Sequence, residues 1–208
     1  MEAYITVNSS AREEIIEKRS RFIASVYPVK EEAEAIALIN SLKKEFWDAR
    51  HNVYAYSLRS GNICRYSDDG EPSGTAGVPV LDVLRKQNIT DCLIVVTRYF
   101  GGILLGTGGL VRAYTASAVK GVAAAKVVKM LPCSLLSVTC PYSDYDQLCR
   151  IIENLEGAVS DTRYGEFIEI DFTLDDSLID RFSDTLRETF CARLSFEIIG
   201  NDYQAKDI

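Results

Sequence analysis

The sequence predicts an α+β protein in two parts, and three observations carry that prediction. Short runs with strand periodicity alternate with helix-patterned runs along the whole chain. The charge balance changes sign: residues 1–130 hold 17 Lys and Arg against 14 Asp and Glu, and residues 131–208 hold 6 against 16, giving nets of +3 and −10. Pro132 follows a long Ala- and Val-rich stretch where the balance changes, which divides the chain into domains of residues 1–131 and 132–208.

In the first part, "RFIASVYPV" has strand character and "KEEAEAIALINSLKKEF" that of an amphipathic helix. "HNVYAYSL" and "NICRYS" form a strand pair around Gly61 and Asn62. "VPVLDVLRKQ" predicts a second helix, and the continuous apolar run of "DCLIVVTRYF" a strand buried on both faces. "TGGLVRAYTASAVKGVAAAK" predicts a third helix with a face of small residues, which permits close packing on a sheet. The result is an α/β sandwich.

The second part has a clearer period. "SLLSVTC" is a strand, and "SDYDQLCRIIENLEG" a helix with Ser143 as N-cap and its end at Gly157. "AVSDTRY" and "EFIEIDFTL" are strands joined by a turn at Tyr164 and Gly165, with Phe167, Ile168, Ile170, Phe172 and Leu174 expected in the core. "DDSLIDRFSDTLRETF" is a helix and "RLSFEIIG" a closing strand. The order β-α-β-β-α-β is that of a ferredoxin-like unit.

Composition excludes several classes. The 47% hydrophobic and 25% charged content belongs to a globular chain. The amino terminus lacks the basic and apolar regions of a signal peptide, and the apolar runs are too short to span a bilayer, so a cytoplasmic protein without a membrane partner is expected. The six cysteines form no C-x-x-C pair and His51 is the sole histidine, so free thiols, no metal and no cofactor are expected.

The stretch "RYFGGILLGTGGLVRAY" places five of the 13 glycines within positions 101–109, between a buried strand and a helix. A strand end facing a helix N-terminus favours anions through free N–H groups and the helix dipole. The Walker A pattern fails because Thr107 follows Gly106, and G-x-G-x-x-G fails at Val111. An anion site would use Arg98, Gly101, Gly102, Gly106, Thr107, Gly108, Gly109 and Arg112. Arg112, assigned to the helix's first turn, opposes the macrodipole and is expected to be held by something negative.

A second loop, "SDDGEPSGTAG", supplies Asp68, Asp69, Glu71, Ser73 and Thr75. Two arrangements are open: its carboxylates pair with Arg98 and Arg112, or they line a polar cleft with His51 in which arginines and glycines hold a ligand, with a divalent ion on Asp68 and Asp69. His51 is either an acid or base in that cleft or a hydrogen-bonded structural residue. No Ser-His-Asp order and no catalytic residue is singled out.

The stretches "YSDDGEPSGTAGVPVLDVL" and "VVTRYFGGILLGTGGLVRAY" together resemble the paired signature of the IMPACT family, whose bacterial members are also called the YigZ family. The resemblance covers residues 1 to about 130, and the second part is similar to the small domain that often follows in bacteria. It implies a first domain similar to ribosomal protein S5 domain 2 and to domain IV of elongation factor G, and a second similar to that factor's domain V. It implies a link to translation, because eukaryotic relatives act on the pathway that senses amino-acid starvation, largely through a separate RWD domain that this sequence does not show. The implied family surface comprises His51, Asp68, Asp69, Gly70, Glu71, Pro72, Ser73, Gly74, Thr75, Arg98, Tyr99, Gly101, Gly102, Gly106, Gly108, Gly109 and Arg112. The sequence departs from relatives at Leu104, where they often carry lysine, and at Arg50 and Asn52.

These readings lead to a non-enzymatic protein that modulates translation by binding RNA or a ribosome-associated partner through the first domain, with no DNA partner expected. A net of +3 supports a few local phosphate contacts rather than a broad basic face. The alternative is a ligand binder or enzyme that handles a small anion, phosphate or nucleotide in the cleft between the two loops. A third reading gives the acidic second domain a protein partner.

Overall fold

The computed structural model describes residues 1–208 and divides into two compact units, one of Tyr4–Lys129 with Asp207–Ile208, the other of Met130–Lys206 with Met1–Ala3. The first unit opens with β1 (Tyr4–Val7), β2 (Ala11–Glu17) and β3 (Ser20–Pro28), followed by α1 (Glu32–Glu45). Then come β4 (His51–Leu58), β5 (Ile63–Ser67), α2 (Gly77–Lys86), β6 (Cys92–Tyr99) and α3 (Gly106–Ala124).

Five of these strands form a sheet in the order β2-β3-β6-β4-β5, with every neighbouring pair antiparallel. Strand alternation sorts the side chains of β6 between two cores. Ile94 and Val96 pack with Phe22, Val53 and residues of α2 and α3, including Leu84, Leu110 and Tyr114. Leu93 and Val95 pack with Ala35, Ile39 and Leu42 of α1. The unit is therefore a three-layer sandwich, and the residues of β6 are buried from Cys92 to Arg98.

The small-residue face of α3 does what its composition implies. A Cβ on Gly121 would stand 2.9 Å from both Ala24 Cβ and Val26 Cγ2, so glycine there sets how closely helix and sheet approach. Strands β1 and β2 lie outside the elements read from the sequence. Charged residues dominate β2 because it is a sheet edge, where charge discourages further pairing.

The second unit contains most of β7 (Val127–Cys140), then α4 (Tyr142–Asn154), β8 (Ala158–Tyr164), β9 (Ile168–Asp175), α5 (Ile179–Thr189) and β10 (Phe196–Asp207). Strand β9 lies between β8 and β7, and β10 pairs with β7, giving the ferredoxin-like order. Leu136, Val138, Ile170, Phe172 and Leu174 of the sheet meet Leu148, Ile152, Phe182 and Leu186 of the helices. The rings of Phe172 and Phe182 pack edge to face at 5.2 Å.

Local expectations are corrected at several points. Strand β7 begins at Val127, so Pro132 lies within a strand; lacking an N–H, it stands just before the pairing with β9 begins at Cys133. Pro141, not Ser143, is the N-cap of α4, and the Ser143 hydroxyl donates to Asp144 Oδ1. Glu156, with φ of 57°, takes the left-handed position after α4, whereas Gly157 is demanded by the Ile152 side chain, 2.8 Å from a Cβ placed there. Phe167 precedes β9 and is exposed. All six cysteines are free thiols, and no helix is long and apolar enough to cross a membrane.

Candidate functional site

The site grows from one row of the sheet. Phe22, Arg98 and His51 are register partners across β3, β6 and β4, on the face that carries α2 and α3. The loop between β5 and α2 lays Glu71 over this row. Its Oε1 accepts from Arg98 Nη1 at 2.6 Å and from the Tyr114 hydroxyl of α3 at 2.8 Å. Arg98 is 5% exposed and Glu71 8%, so the pair is held away from water. Burial first, and then the Glu71 carboxylate, push the Tyr114 phenol far above its ordinary value.

Arg98 is otherwise sparsely bonded. Its Nη2 donates to Ser20 Oγ at 3.4 Å, and its Nε has no hydrogen-bond partner. The guanidinium lies 5.3 Å from the Phe22 ring and 5.6 Å from that of Phe100. His51 Nδ1 stands 2.8 Å from the Asp69 carbonyl oxygen, which only accepts, so the ring proton sits on Nδ1. His51 Nε2 is left 3.8 Å from Glu71 Oε1, beyond hydrogen-bond reach.

The loop that carries Glu71 is held by its own acidic residues. Asp68 Oδ1 accepts from the N–H groups of Ala76 and Gly77 at the start of α2, and Oδ2 from Gly74. Asp69 Oδ1 pairs with Lys43 at 2.7 Å, and Oδ2 accepts from the Asn52 N–H at 2.6 Å. The Thr75 hydroxyl donates to the Pro72 carbonyl at 2.6 Å, and Ser73 is exposed. The carboxylates of Asp68 and Asp69 are thus used internally, and no group of three or more His, Cys, Asp or Glu side chains is arranged to hold a metal ion.

The glycine loop divides in the same manner. A Cβ on Gly101 would fall 2.1 Å from the carbonyl carbon of Arg19, and the Gly101 N–H donates to Ser20 Oγ, so this glycine lets the loop lie against the β2–β3 turn. Gly102 and Gly106 take φ of 82° and 70°. Leu105 gives α3 no side-chain cap, so its first N–H groups lack a protein acceptor from that residue.

A cleft of about 420 Å³ joins the two loops. His51, Glu71 and Arg98 meet Gly106 and Thr107 there, with Arg50 beside them, and Pro72, Phe100, Leu104, Leu105 and Leu110 supply apolar wall. Arg112 does not join this group. It is the seventh residue of α3, beyond the first turn, exposed and without an ion pair, so no counter-charge is required. With Gly109 and Lys18 it lines a separate groove of about 210 Å³ on the other side of Leu105. Of the two open arrangements, pairing holds for Glu71 with Arg98 alone, and that pair also forms part of the cleft.

Sequence reading missed Ser20, Tyr114 as a polar partner, Arg50, Phe100 and Lys18. Tyr114 carried a signal, because a tyrosine on a helix face destined for the core needs a partner for its hydroxyl. Ser20 carried none, since its contacts lie 78 and 81 residues away.

Comparison with known proteins agrees with both parts of the chain. The Impact N-terminal domain matches residues 18–122, and a domain of unknown function, DUF1949, matches residues 138–193. The IMPACT family member YvyE of Bacillus subtilis is 38% identical, over 90% of this chain and 87% of its own length. The IMPACT family member YigZ of Escherichia coli is 32% identical, over 82% and 85%. A crystal structure of a hypothetical protein, 29% identical, superposes with a TM-score of 0.60 over 96% of this chain and 98% of that one. Signature loops, matched domains and relatives along most of its length together place the chain in the IMPACT family.

Proposed function

We propose that this is a cytoplasmic, non-enzymatic modulator of translation that binds RNA, or a partner carried on the ribosome, through the first unit. The observation that carries this reading is a set of unpaired cations around the start of α3. Lys18, Arg19, Arg50 and Arg112 are all exposed and none forms an ion pair. The β2–β3 turn that holds Lys18 and Arg19 abuts Gly101, the Arg50 N–H donates to the Arg98 carbonyl, and Lys18 shares a groove with Arg112. Most nearby acids are engaged, Glu14 with Arg21, Glu45 with Arg12, and Asp48 with the Tyr99 hydroxyl, while Glu17 lines the Lys18–Arg112 groove without an ion pair and offsets one of these cations. The modest net charge of this part is therefore concentrated locally, as a phosphate backbone requires. Family membership supports the connection to translation.

Fluorescence anisotropy with a short single-stranded RNA tests the reading. Four neutralised phosphates give a slope of log affinity against log salt of about −3, and each cation removed reduces it by about 0.7. Lys18→Gln with Arg112→Gln is expected to flatten the slope without unfolding the protein. Absence of RNA binding even at low salt overturns the RNA form of the proposal and leaves capture of a ribosome-associated protein to be tested with purified ribosomes.

The cleft lined by His51, Arg98 and Glu71 supports a second reading, a site for a small anionic ligand. Its distinguishing result is saturable stabilisation by one small anion that RNA does not reproduce.

A further inference from the structure

We infer that the cleft between the two loops is a pocket for one nucleotide bearing a terminal phosphate. The inference rests on reading this end of the first unit as an anion-binding surface, and it names the ligand's chemistry.

Charge decides between head groups. Arg98 is offset by Glu71, so the fixed charges of the floor cancel. What remains is Arg50 and the start of α3, where Gly106 and Thr107 line the cleft and Leu105 supplies no cap. One full charge and about half a charge from the helix dipole give roughly +1.5. A terminal phosphate carries about −1.5 to −2 near neutral pH. A carboxylate or an internal phosphodiester carries one negative charge and matches less well. The Thr107 hydroxyl adds a donor suited to a phosphate oxygen.

The rest of the pocket fits a nucleoside body. Its volume of about 420 Å³ is that of a site for one small molecule, not for a stacked run of bases. Phe100, Leu104, Leu105, Leu110 and Pro72 give apolar surface to a base and ribose. Leu104 is 82% exposed, so apolar surface stands open where it lines the cleft. His51 Nε2 makes no hydrogen bond and lies in a residue that lines the cleft, where a ribose hydroxyl can meet it. Arg98, nineteen-twentieths buried, lines the cleft with its Nε–H unpartnered, an unmet donor independent of the helix terminus.

Such a nucleotide has two sources, a free nucleoside monophosphate or the phosphorylated end of an RNA. Calorimetry and phosphorus NMR with the four nucleoside 5′-monophosphates and their unphosphorylated nucleosides test the pocket in the full chain. The monophosphates are expected to bind at least about tenfold more tightly than the nucleosides, and Arg50→Gln and Thr107→Val each to weaken them by about tenfold. Lys18→Gln and Arg112→Gln, in the other groove, are expected to leave them unchanged. A second arm compares short RNAs with a 5′-phosphate and a 5′-hydroxyl: a preference for the phosphate identifies an RNA end as source, and indifference alongside monophosphate binding identifies a free nucleotide. Failure of both arms, or binding indifferent to Arg50 and Thr107, overturns the inference. Salt-dependent RNA binding through Lys18 and Arg112 would survive that failure, so the two proposals are separable.

Discussion

Glu71 and Arg98 form an ion pair at 2.6 Å that pins the β5–α2 loop onto the centre of the sheet, with both side chains almost wholly buried. The pair fixes the floor of the cleft. Because Arg98 touches Phe22, Phe100 and Ser20 as well, the carboxylate also sets where β6 hands over to the glycine loop.

Removing one partner should therefore cost more than the pair itself contributes. Glu71→Ala strands a guanidinium in a site with little water and is expected to destabilise the first unit by about 3–5 kcal/mol. Glu71→Gln keeps an acceptor for Tyr114 and is expected to cost less. Urea denaturation of the two variants beside the parent checks the order, and an equal loss in both would show that charge is not the deciding factor.

Asp68 makes a contrasting prediction. Its carboxylate accepts from three backbone N–H groups, two of them at the start of α2. Asp68→Ala should cost about 1–2 kcal/mol, the scale of a lost N-cap. Asp68→Asn should recover part of the loss. Ligand affinity measured under conditions where the variants remain folded should change little, because the Asp68 side chain serves the loop rather than the cleft.

The difference between these acids marks how far the sequence could be read. The continuous apolar run of β6 and the alternation in β4 make those strands legible, and the glycine cluster with its two arginines points to the end of the first unit where the cleft lies. Three carboxylates within four residues look alike in the sequence, yet Asp68 turns to backbone, Asp69 to Lys43 and Glu71 to Arg98. Those choices depend on a loop conformation with Asp69 at φ of 44° and Gly70 at 86°, and on partners 26 to 43 residues away. The groove that Arg112 lines is not legible in the sequence, because spacing sets its distance along α3 but not which of two grooves its side chain enters.

Alkaline pH should loosen the first unit. Burial, and then hydrogen bonding to Glu32, push Tyr56 up to about 12 from an ordinary 10.0. The folded state holds this proton more tightly than the unfolded chain, so the contribution is complete below pH 10, declines between 10 and 12, and is gone above that range. Tyr114 shifts in the same direction. Stability against denaturant should fall with pH in this window, and Tyr56→Phe should flatten part of the fall. A pH-independent profile from 9 to 11 would be the contrary result.

The last prediction separates the two uses of glycine in the loop. Gly102 has φ of 82° and open space around it, so Gly102→Ala meets only backbone strain and should cost about 1 kcal/mol. At Gly101 φ is ordinary, but a methyl would overlap the carbonyl of Arg19 at 2.1–2.2 Å, and backbone cannot swing aside as a side-chain tip can. Gly101→Ala must push the β2–β3 turn away, breaking the Gly101 N–H contact with Ser20 and moving Lys18 and Arg19 with it. It is expected to destabilise by about 1–3 kcal/mol or more, and to reduce the salt dependence of RNA binding, which Gly102→Ala should leave unchanged. Thermal unfolding and anisotropy on the pair distinguish the roles: if both variants lose stability equally, backbone conformation governs the loop, and if Gly101→Ala alone alters RNA binding, the β2–β3 turn belongs to the binding surface.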